Sequence, residues 1–272
     1  MRFVKGHGTE NDFVILPDPD GVLDLTADAV ARLCDRRAGI GADGVLRVVR
    51  TKAAGVEADA EWFMDYRNSD GGIAEMCGNG IRVFARYLVD AGLAAPGEWD
   101  VATRAGLRRV TLGPSGDVSV DMGPPELLGR GEASLAGTGF AGERVSVGNP
   151  HLACRVDGPV AALDLSRAPD FDPAVFPDGV NVEFFRPLGE RHVEMRVYER
   201  GSGETRSCGT GTVAVAAAAS LAATGGLGGP GGAAWTVDVP GGRVTVTFDG
   251  GTSHLKGPAV LVAEGETYPG WI

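Results

Sequence analysis

Two stretches of the chain place the same residues at the same spacing. Gly72-Ile73-Ala74-Glu75-Met76-Cys77-Gly78-Asn79-Gly80 runs into residues 81–88, and Gly203-Glu204-Thr205-Arg206-Ser207-Cys208-Gly209-Thr210-Gly211 runs into the alanine-rich apolar stretch 213–223. With the cysteines aligned, Gly72 matches Gly203, Gly78 matches Gly209, Gly80 matches Gly211 and Ala85 matches Ala216. Nine residues before each cysteine stands a polar group, Asn68 in one copy and Glu199 in the other. A polar, glycine-rich loop feeding an apolar run reads as a helix start, where unpaired N–H groups and the positive dipole end favour an anion. A thiol placed there is expected to ionise more easily than a free one. One such cysteine per half suggests two similar halves presenting two thiols to one cleft.

Inverting a stereocentre requires taking a proton from one face of a carbon and delivering one to the other, which a thiolate and a thiol can do as base and acid. The proton on an amino-acid α-carbon is a very weak acid, so the charge that develops on the adjacent carboxylate needs aimed donors. The N–H groups at Gly78-Asn79 and Gly209-Thr210 would supply them, with glycine permitting close approach. In Asn149-Pro150-His151 the histidine could accept or relay a thiol proton near neutral pH. A lone histidine is more often structural, and so is a lone glutamate. Glu199 gains weight because its spacing from Cys208 equals that of Asn68 from Cys77. Cys34, on the apolar face of an expected helix, and Cys154, inside an expected strand, read as core residues.

The remaining composition narrows the classes. With 25 Lys and Arg against 36 Asp and Glu, the 272-residue chain has a net charge of -11, which argues against binding a phosphate backbone, so no nucleic-acid partner is expected. The N-terminal residues lack the apolar region of a signal peptide, and no apolar run reaches membrane-spanning length. Four cysteines make no disulfide framework, so reduced thiols and a cytoplasmic location are expected. The four histidines show no metal-ligand spacing, and no motif requires pyridoxal phosphate or a nucleotide, so no cofactor is expected.

The elements that must position these groups follow from turn and periodicity signals. A hairpin-like start over residues 3–16 bends at Gly6, Gly8 and Asn11-Asp12; Thr26 caps a helix running through Arg37; residues 39–44 form a tight loop into a strand over 45–50. A strand over 60–66 ends at Asn68 ahead of the first cysteine loop, and Gly92 stops the first cysteine helix. Strands follow near 99–103, 108–112 and 118–122. Gly123-Pro124-Pro125 is the expected domain boundary. The second half repeats the plan, with strands over 144–147, 152–156, 180–185 and 192–198, an acidic, Pro-rich segment over 164–178, the second cysteine helix, a surface loop over 225–232, and a hairpin over 234–239 and 243–248. A closing strand over 259–263 is expected to return to the first domain. The expected fold is α+β, two pseudo-symmetric domains of strands around one principal helix each, spanning 1–122 with 259–272, and 123–258.

At these residues the chain resembles the diaminopimelate epimerase family, through His7-Gly8-x-x-Asn11-Asp12-Phe13, residues 68–80, residues 148–151, Asn181 and residues 199–211. The resemblance covers nearly the whole length. It implies cofactor-independent interconversion of LL- and meso-diaminopimelate, on the route to lysine and peptidoglycan, by a homodimer whose halves wrap antiparallel strands around a central helix. Carried over by position, Cys77 and Cys208 are the acid–base pair and His151 and Glu199 assist proton transfer. Asn11, Asn68, Asn149, Asn181 and Arg200 hold the two amino-acid ends of the substrate, and Gly78, Asn79, Gly209 and Thr210 bind the reacting carboxylate. Gly44 stands where many members have a substrate-contacting Gln, and Glu10 where many have Gly.

Other readings explain less. Residues 209–214 fit a dinucleotide pattern but follow a polar loop, with no acidic residue about 20 positions on. A Cys-His-Asn hydrolase would need one thiol and leave the repeat unexplained. A redox dithiol would have its cysteines far apart and without a Cys-x-x-Cys pair. Proline-racemase-like and phenazine-biosynthesis-like isomerases share the fold. Cysteines at both positions argue against the phenazine type, and Arg200 with several asparagines argues for a second amino-acid end on the substrate. A binding module for a small zwitterion would have no need of two matched thiols.

Overall fold

The computed structural model describes residues 1–114, 116–227 and 234–272, and the chain divides into two compact units, Met1–Val120 with Gly257–Ile272, and Asp121–Lys256. In the first unit, β1 (Arg2–Gly8) and β2 (Asn11–Pro17) pair antiparallel with Gly8 opposite Asn11. That register leaves a two-residue turn, Thr9 and Glu10, at φ +50° and +60°. L-residues avoid this region, β-branched ones most, which explains why glycine would suit position 10. The turn is anchored by Thr9, which is buried and accepts a hydrogen bond from Arg82 Nη2 at 3.2 Å.

Helix α1 (Ala27–Cys34) starts as expected, with Thr26 Oγ1 accepting from the Ala29 N–H at 3.2 Å. It ends at Cys34 and not at Arg37, because the Asp35 carboxylate takes the N–H groups of Arg37 and Ala38 at 2.7 and 2.6 Å and diverts the chain into a turn. Strand β3 (Gly44–Arg50) follows, and β4 (Trp62–Asn68) begins two residues later than expected, since Ala60 is held in the preceding loop by the Thr51 hydroxyl at 2.7 Å. Then come α2 (Gly78–Asp90), β5 (Gly97–Thr103), β6 (Gly106–Leu112) and β7 (Val118–Gly123). Strands β1 to β4 and β6 pack on α2, burying Ile81, Val83, Phe84, Ala85 and Leu88.

The second unit comprises β8 (Glu126–Leu135), β9 (Thr138–Ser146), β10 (Pro150–Arg155), a 3-10 turn at Val160–Ala162, β11 (Asp170–Phe171), β12 (Asn181–Gly189), β13 (His192–Glu199), β14 (Gly203–Thr205), α3 (Gly209–Thr224), β15 (Ala234–Val239), β16 (Gly242–Asp249) and β17 (Thr252–Gly257). Strands β8, β14 and β17 carry no clear alternation in the sequence. Helix α3 is apolar on every side and buried from Val213 to Ser220, packed by β9, β10, β12, β13, β15 and β16. Val213 and Val215, wholly buried, each contribute about 1.5–3 kcal/mol of burial. Gly225, at φ +76°, stops the helix in the left-handed conformation. Of the surface loop expected over 225–232, residues 228–232 lie outside the described residues. Finally β18 (Val260–Glu266) pairs antiparallel with β1 in the first unit, Arg2 opposite Glu266, and also covers α2. Most pairings in both units are antiparallel; β2–β3, β4–β5, β10–β12 and β13–β15 are parallel.

Beside the β1–β2 turn, Asp12 accepts from Lys5 Nζ at 2.6 Å and from Arg36 at 2.7 and 3.1 Å. Burial pushes the Asp12 carboxyl up, but the bonds from Arg36 and Lys5 outweigh it and leave it at about 2, against an ordinary 3.8. A carboxyl depressed in the folded state stabilises above its unfolded value and loses that contribution as pH falls through the folded one. Asp12→Asn is therefore expected to cost about 2 kcal/mol near neutral pH. The gap to the wild type should close between pH 3.8 and about 2, measured by urea unfolding at a series of pH values.

Candidate active site

Both cysteines are helix N-caps with closely matching geometry. Cys77 has φ −138° and ψ 119° and its Sγ accepts the Gly80 N–H at 3.4 Å; Cys208 has φ −119° and ψ 118° and its Sγ accepts the Gly211 N–H, also at 3.4 Å. The carbonyls of Cys77 and Cys208 accept the first intrahelical bonds, from Ile81 and Thr212. Each sulfur thus satisfies the third helical N–H. Gly78 with Asn79 and Gly209 with Thr210 occupy the first two helical positions, whose N–H groups have no partner within an α-helix.

In the first unit the structure gathers Cys77, Asn11 and Asn79. The Cys77 Sγ lies 3.6 Å from Asn11 Oδ1, and Asn79 Nδ2 donates to the same oxygen at 3.2 Å. Asn11 Nδ2 donates in turn to Asp43 at 2.8 Å, which fixes the orientation of its amide. Asn68 stands apart: it ends β4 with an exposed side chain, and its backbone bonds to Gly71 and Gly72. Gly44 lies opposite Asn68 across β3–β4, and a Cβ there would meet the Arg67 carbonyl at 2.5 Å and the Tyr66 ring at 2.7 Å. The departure at Gly44 is thus enforced by packing.

In the second unit Cys208 is buried, its Sγ lies 3.5 Å from Thr210 Oγ1, and Glu199 is one of its acidic neighbours. Glu199 also accepts from Thr205 Oγ1. Burial pushes the Cys208 thiol well above the ordinary range, and the neighbouring Glu199 and Glu183 push it the same way. Here the expectation of an easily ionised thiol is corrected: desolvation and two acidic neighbours outweigh the helix start and the bonds from Thr210 and Gly211. Burial likewise raises Glu199 above the usual carboxylate range, against the bonds from Thr205 and Cys208.

His151 is buried, with Nδ1 at 2.7 Å from Glu183 Oε1 and Nε2 at 3.0 Å from Asn149 Oδ1. Both ring nitrogens are therefore committed within the unit, to Glu183 and Asn149 and not to Cys208. Asn181 donates to the Pro150 carbonyl at 3.1 Å and accepts the Arg200 N–H at 2.9 Å. The Arg200 guanidinium reaches the Asp178 carbonyl at 2.7 Å and borders a cavity of about 250 Å³ walled by Phe171, Val180, Val182 and Tyr198.

Sequence reasoning missed Glu183. It is wholly buried on β12, and its carboxyl is raised by burial against the pull of His151. It lies against the start of α3, where a Cβ on Gly211 would sit 2.6 Å from Glu183 Oε1. An acid inside an apolar strand was the available signal; the β10–β12 register puts it opposite Ala153, two residues beyond His151. Cys34 and Cys154 are buried and pushed up to about 12 by burial, as core thiols should be.

One strand-wrapped helix in each unit places the chain in a fold class that includes a phenazine biosynthesis protein of the PhzF family from Bacillus anthracis. That structure matches with a TM-score of 0.69 at 18% identity, over 98% of this chain and 99% of that one. At this identity the likeness concerns the fold alone. Sequence similarity is narrower: the profile described as diaminopimelate epimerase matches residues 3–128 and 144–265, the gap falling within the β8–β9 hairpin. The diaminopimelate epimerase of Thermobifida fusca is 61% identical over 98% of this chain and 97% of its own length, and that of Rhodococcus jostii is 53% identical over 100% and 98%. The chain belongs to the diaminopimelate epimerase family.

The Gly211–Glu183 approach gives a test of the second unit. Gly211→Ala must displace Glu183 from His151, and overpacking of this kind costs about 1–3 kcal/mol. The expected result is a lowered melting temperature with a changed His151 ring resonance by NMR, while the matching change Gly80→Ala, whose nearest neighbours are a Leu46 methyl at 3.2 Å, the Cys77 Cβ at 3.3 Å and the Phe13 ring at 3.4 Å, should be milder.

Proposed function

We propose that the chain epimerises diaminopimelate between its LL and meso forms, with Cys77 and Cys208 as the two acid–base groups. The observation that carries this reading is the duplicated cap. Each cysteine sulfur accepts the third helical N–H, which fixes both thiols at the positive ends of helices, where an anion is favoured. A carboxylate bound there has its α-carbon beside a thiol. As the α-proton leaves, charge grows on that carboxylate, and fixed N–H dipoles stabilise the growing charge more than the ground state. Gly78, Asn79, Gly209 and Thr210 take this role in the proposal.

The other residues divide by what they touch. Glu199, an acidic neighbour of Cys208, is suited to receive or return the proton of that thiol, since burial holds the carboxyl above its ordinary range. His151 and Glu183 stand behind it as a buried pair, and His151 acts on Cys208 through its surroundings and not by direct contact. Asn11, Asn149, Asn181 and Arg200 hold the amino-acid ends, with the guanidinium suited to the far carboxylate. Asn68, exposed at the end of β4, is assigned to the same substrate on family position.

On this reading the protein works in the cytoplasm with its thiols reduced, and as a homodimer; light scattering on the purified protein should return twice the chain mass. The proposal itself is tested by incubating the reduced protein with LL-diaminopimelate in deuterated water without added cofactor. The meso isomer should form with deuterium at one α-carbon. Cys77→Ala and Cys208→Ala should each lower turnover by three orders of magnitude or more, about 4 kcal/mol or above in the barrier, with unchanged circular dichroism. Near-normal turnover in either variant would refute the two-base mechanism.

A further inference from the structure

Each unit sets a parallel strand pair against its cysteine cap, and the two pairs match in register. Phe13 lies opposite Gly44 in β2–β3, and His151 lies opposite Asn181 in β10–β12. Asn11 stands two residues before Phe13 as Asn149 stands two before His151, and Leu46 stands two past Gly44 as Glu183 stands two past Asn181. Residues two apart on a strand share a face. The matched faces meet the matched glycines of the caps. A Cβ on Gly80 would meet a Leu46 methyl at 3.2 Å and the Phe13 ring at 3.4 Å, whereas a Cβ on Gly211 would meet Glu183 Oε1 at 2.6 Å. Where the first unit places a ring and a methyl, the second places an imidazole and an acid.

That exchange is unfavourable in a protein interior unless every polar atom is bonded. Glu183 is wholly buried and His151 nearly so. Glu183 Oε1 lies 2.7 Å from His151 Nδ1, and His151 Nε2 lies 3.0 Å from Asn149 Oδ1. An amide oxygen can only accept, so Nε2 must carry the hydrogen of the second bond. Nδ1 then shares a further hydrogen with Glu183, whichever of the two atoms holds it. With that hydrogen in place the pair has no net charge. Without it, a negative charge would be buried beside Glu199 and Cys208, which is strongly disfavoured.

We propose that Glu183 is a positioning residue for substrate binding: through His151 it holds the Asn149 amide by its oxygen and leaves the Nδ2 hydrogens to donate to a substrate carboxylate. Among the described residues no other group holds the Asn149 side chain. On a zwitterionic diamino acid the carboxylates are the acceptors, so the direction of this amide decides which end it binds. In the first unit the matched amide is fixed the other way round. Asn11 Nδ2 is spent on Asp43 at 2.8 Å, and Asn11 Oδ1 is the atom beside Cys77 Sγ and Asn79 Nδ2. The two asparagines thus present opposite ends, one accepting and one donating. Asp43 sets the first, and Glu183 with His151 sets the second.

This assignment rests on the substrate-binding role proposed above for Asn149, but its first test needs no substrate, so the two can fail separately. In the full reduced chain with isotope-labelled histidine, proton–nitrogen correlation NMR separates a ring nitrogen that carries hydrogen from one that does not. The His151 signals are assigned by their loss in His151→Phe, which copies Phe13. Nε2 of His151 should carry hydrogen in the ligand-free wild type; a bare Nε2 would mean that the Asn149 amide is turned the other way and would overturn the proposal. With diaminopimelate as substrate, Asn149→Ala and Glu183→Leu, the latter copying Leu46, should each raise KM about tenfold with a smaller change in kcat. The double variant should be no worse than Asn149→Ala alone, because Glu183 then has no amide to position. An unmoved KM in folded Glu183→Leu, or losses that multiply in the double variant, would overturn the assignment. If Glu183→Leu does not fold, the state of Nε2 in the wild type decides.

Discussion

A helix enclosed by strands on all sides must still satisfy its first N–H groups, and in both units the third of these goes to a sulfur. Serine or aspartate would cap with a harder oxygen and a tighter bond. A thiol is a weak acceptor, so its use at two such positions costs helix stability and needs another reason. That reason is geometric. The cap fixes each cysteine by backbone and side chain together, at the positive end of the helix dipole. On the proposed mechanism, proton transfer and carboxylate binding would be built from the same three residues, and neither could be displaced without the other.

The strands serve this end. In the second unit β10 and β12 run parallel, so His151 is brought opposite Asn181 and Glu183 reaches the first turn of α3. In the first unit the β1–β2 turn accepts left-handed backbone at Thr9 and Glu10, and that turn carries Gly8 and Thr9 against Arg82. Backbone of this kind is disfavoured and persists where surrounding contacts hold it. Its position beside Asn11 ties the strain to the site.

Much of this was legible in the sequence because it was repeated. The aligned glycines marked two helix starts, the alanine-rich run marked a helix buried all round, and Thr26 marked the cap of α1. The ends of elements were less legible: Asp35 stops α1 early by a local side-chain bond that periodicity does not register, and β8, with Gly129 and Gly131, has no alternation to read. Electrostatics was the least legible part. Whether a thiol at a helix start ionises depends on residues distant in the chain, and Glu183 acts on Cys208 from 25 positions away. The family motifs named the groups proposed to hold substrate. They did not expose the buried charges, because Arg82 reads as an ordinary polar residue on an amphipathic helix until its burial is known.

Duplication alone would make a poor two-base catalyst. Two equivalent thiols titrating together hold one shared proton in at most about half of the molecules, with the remainder doubly protonated or doubly ionised and unproductive. Driving their affinities apart removes that loss, because over the whole pH range between them one site is empty and the other filled. The two units keep the backbone cap nearly identical and differ in the sequence around it, arginine against valine five residues on and asparagine against glutamate nine residues back. These positions can change without moving the sulfur, the N–H donors or the helix. On the proposed mechanism, divergence in charge on a preserved scaffold is a physical route by which a repeated capping motif would supply one base and one acid.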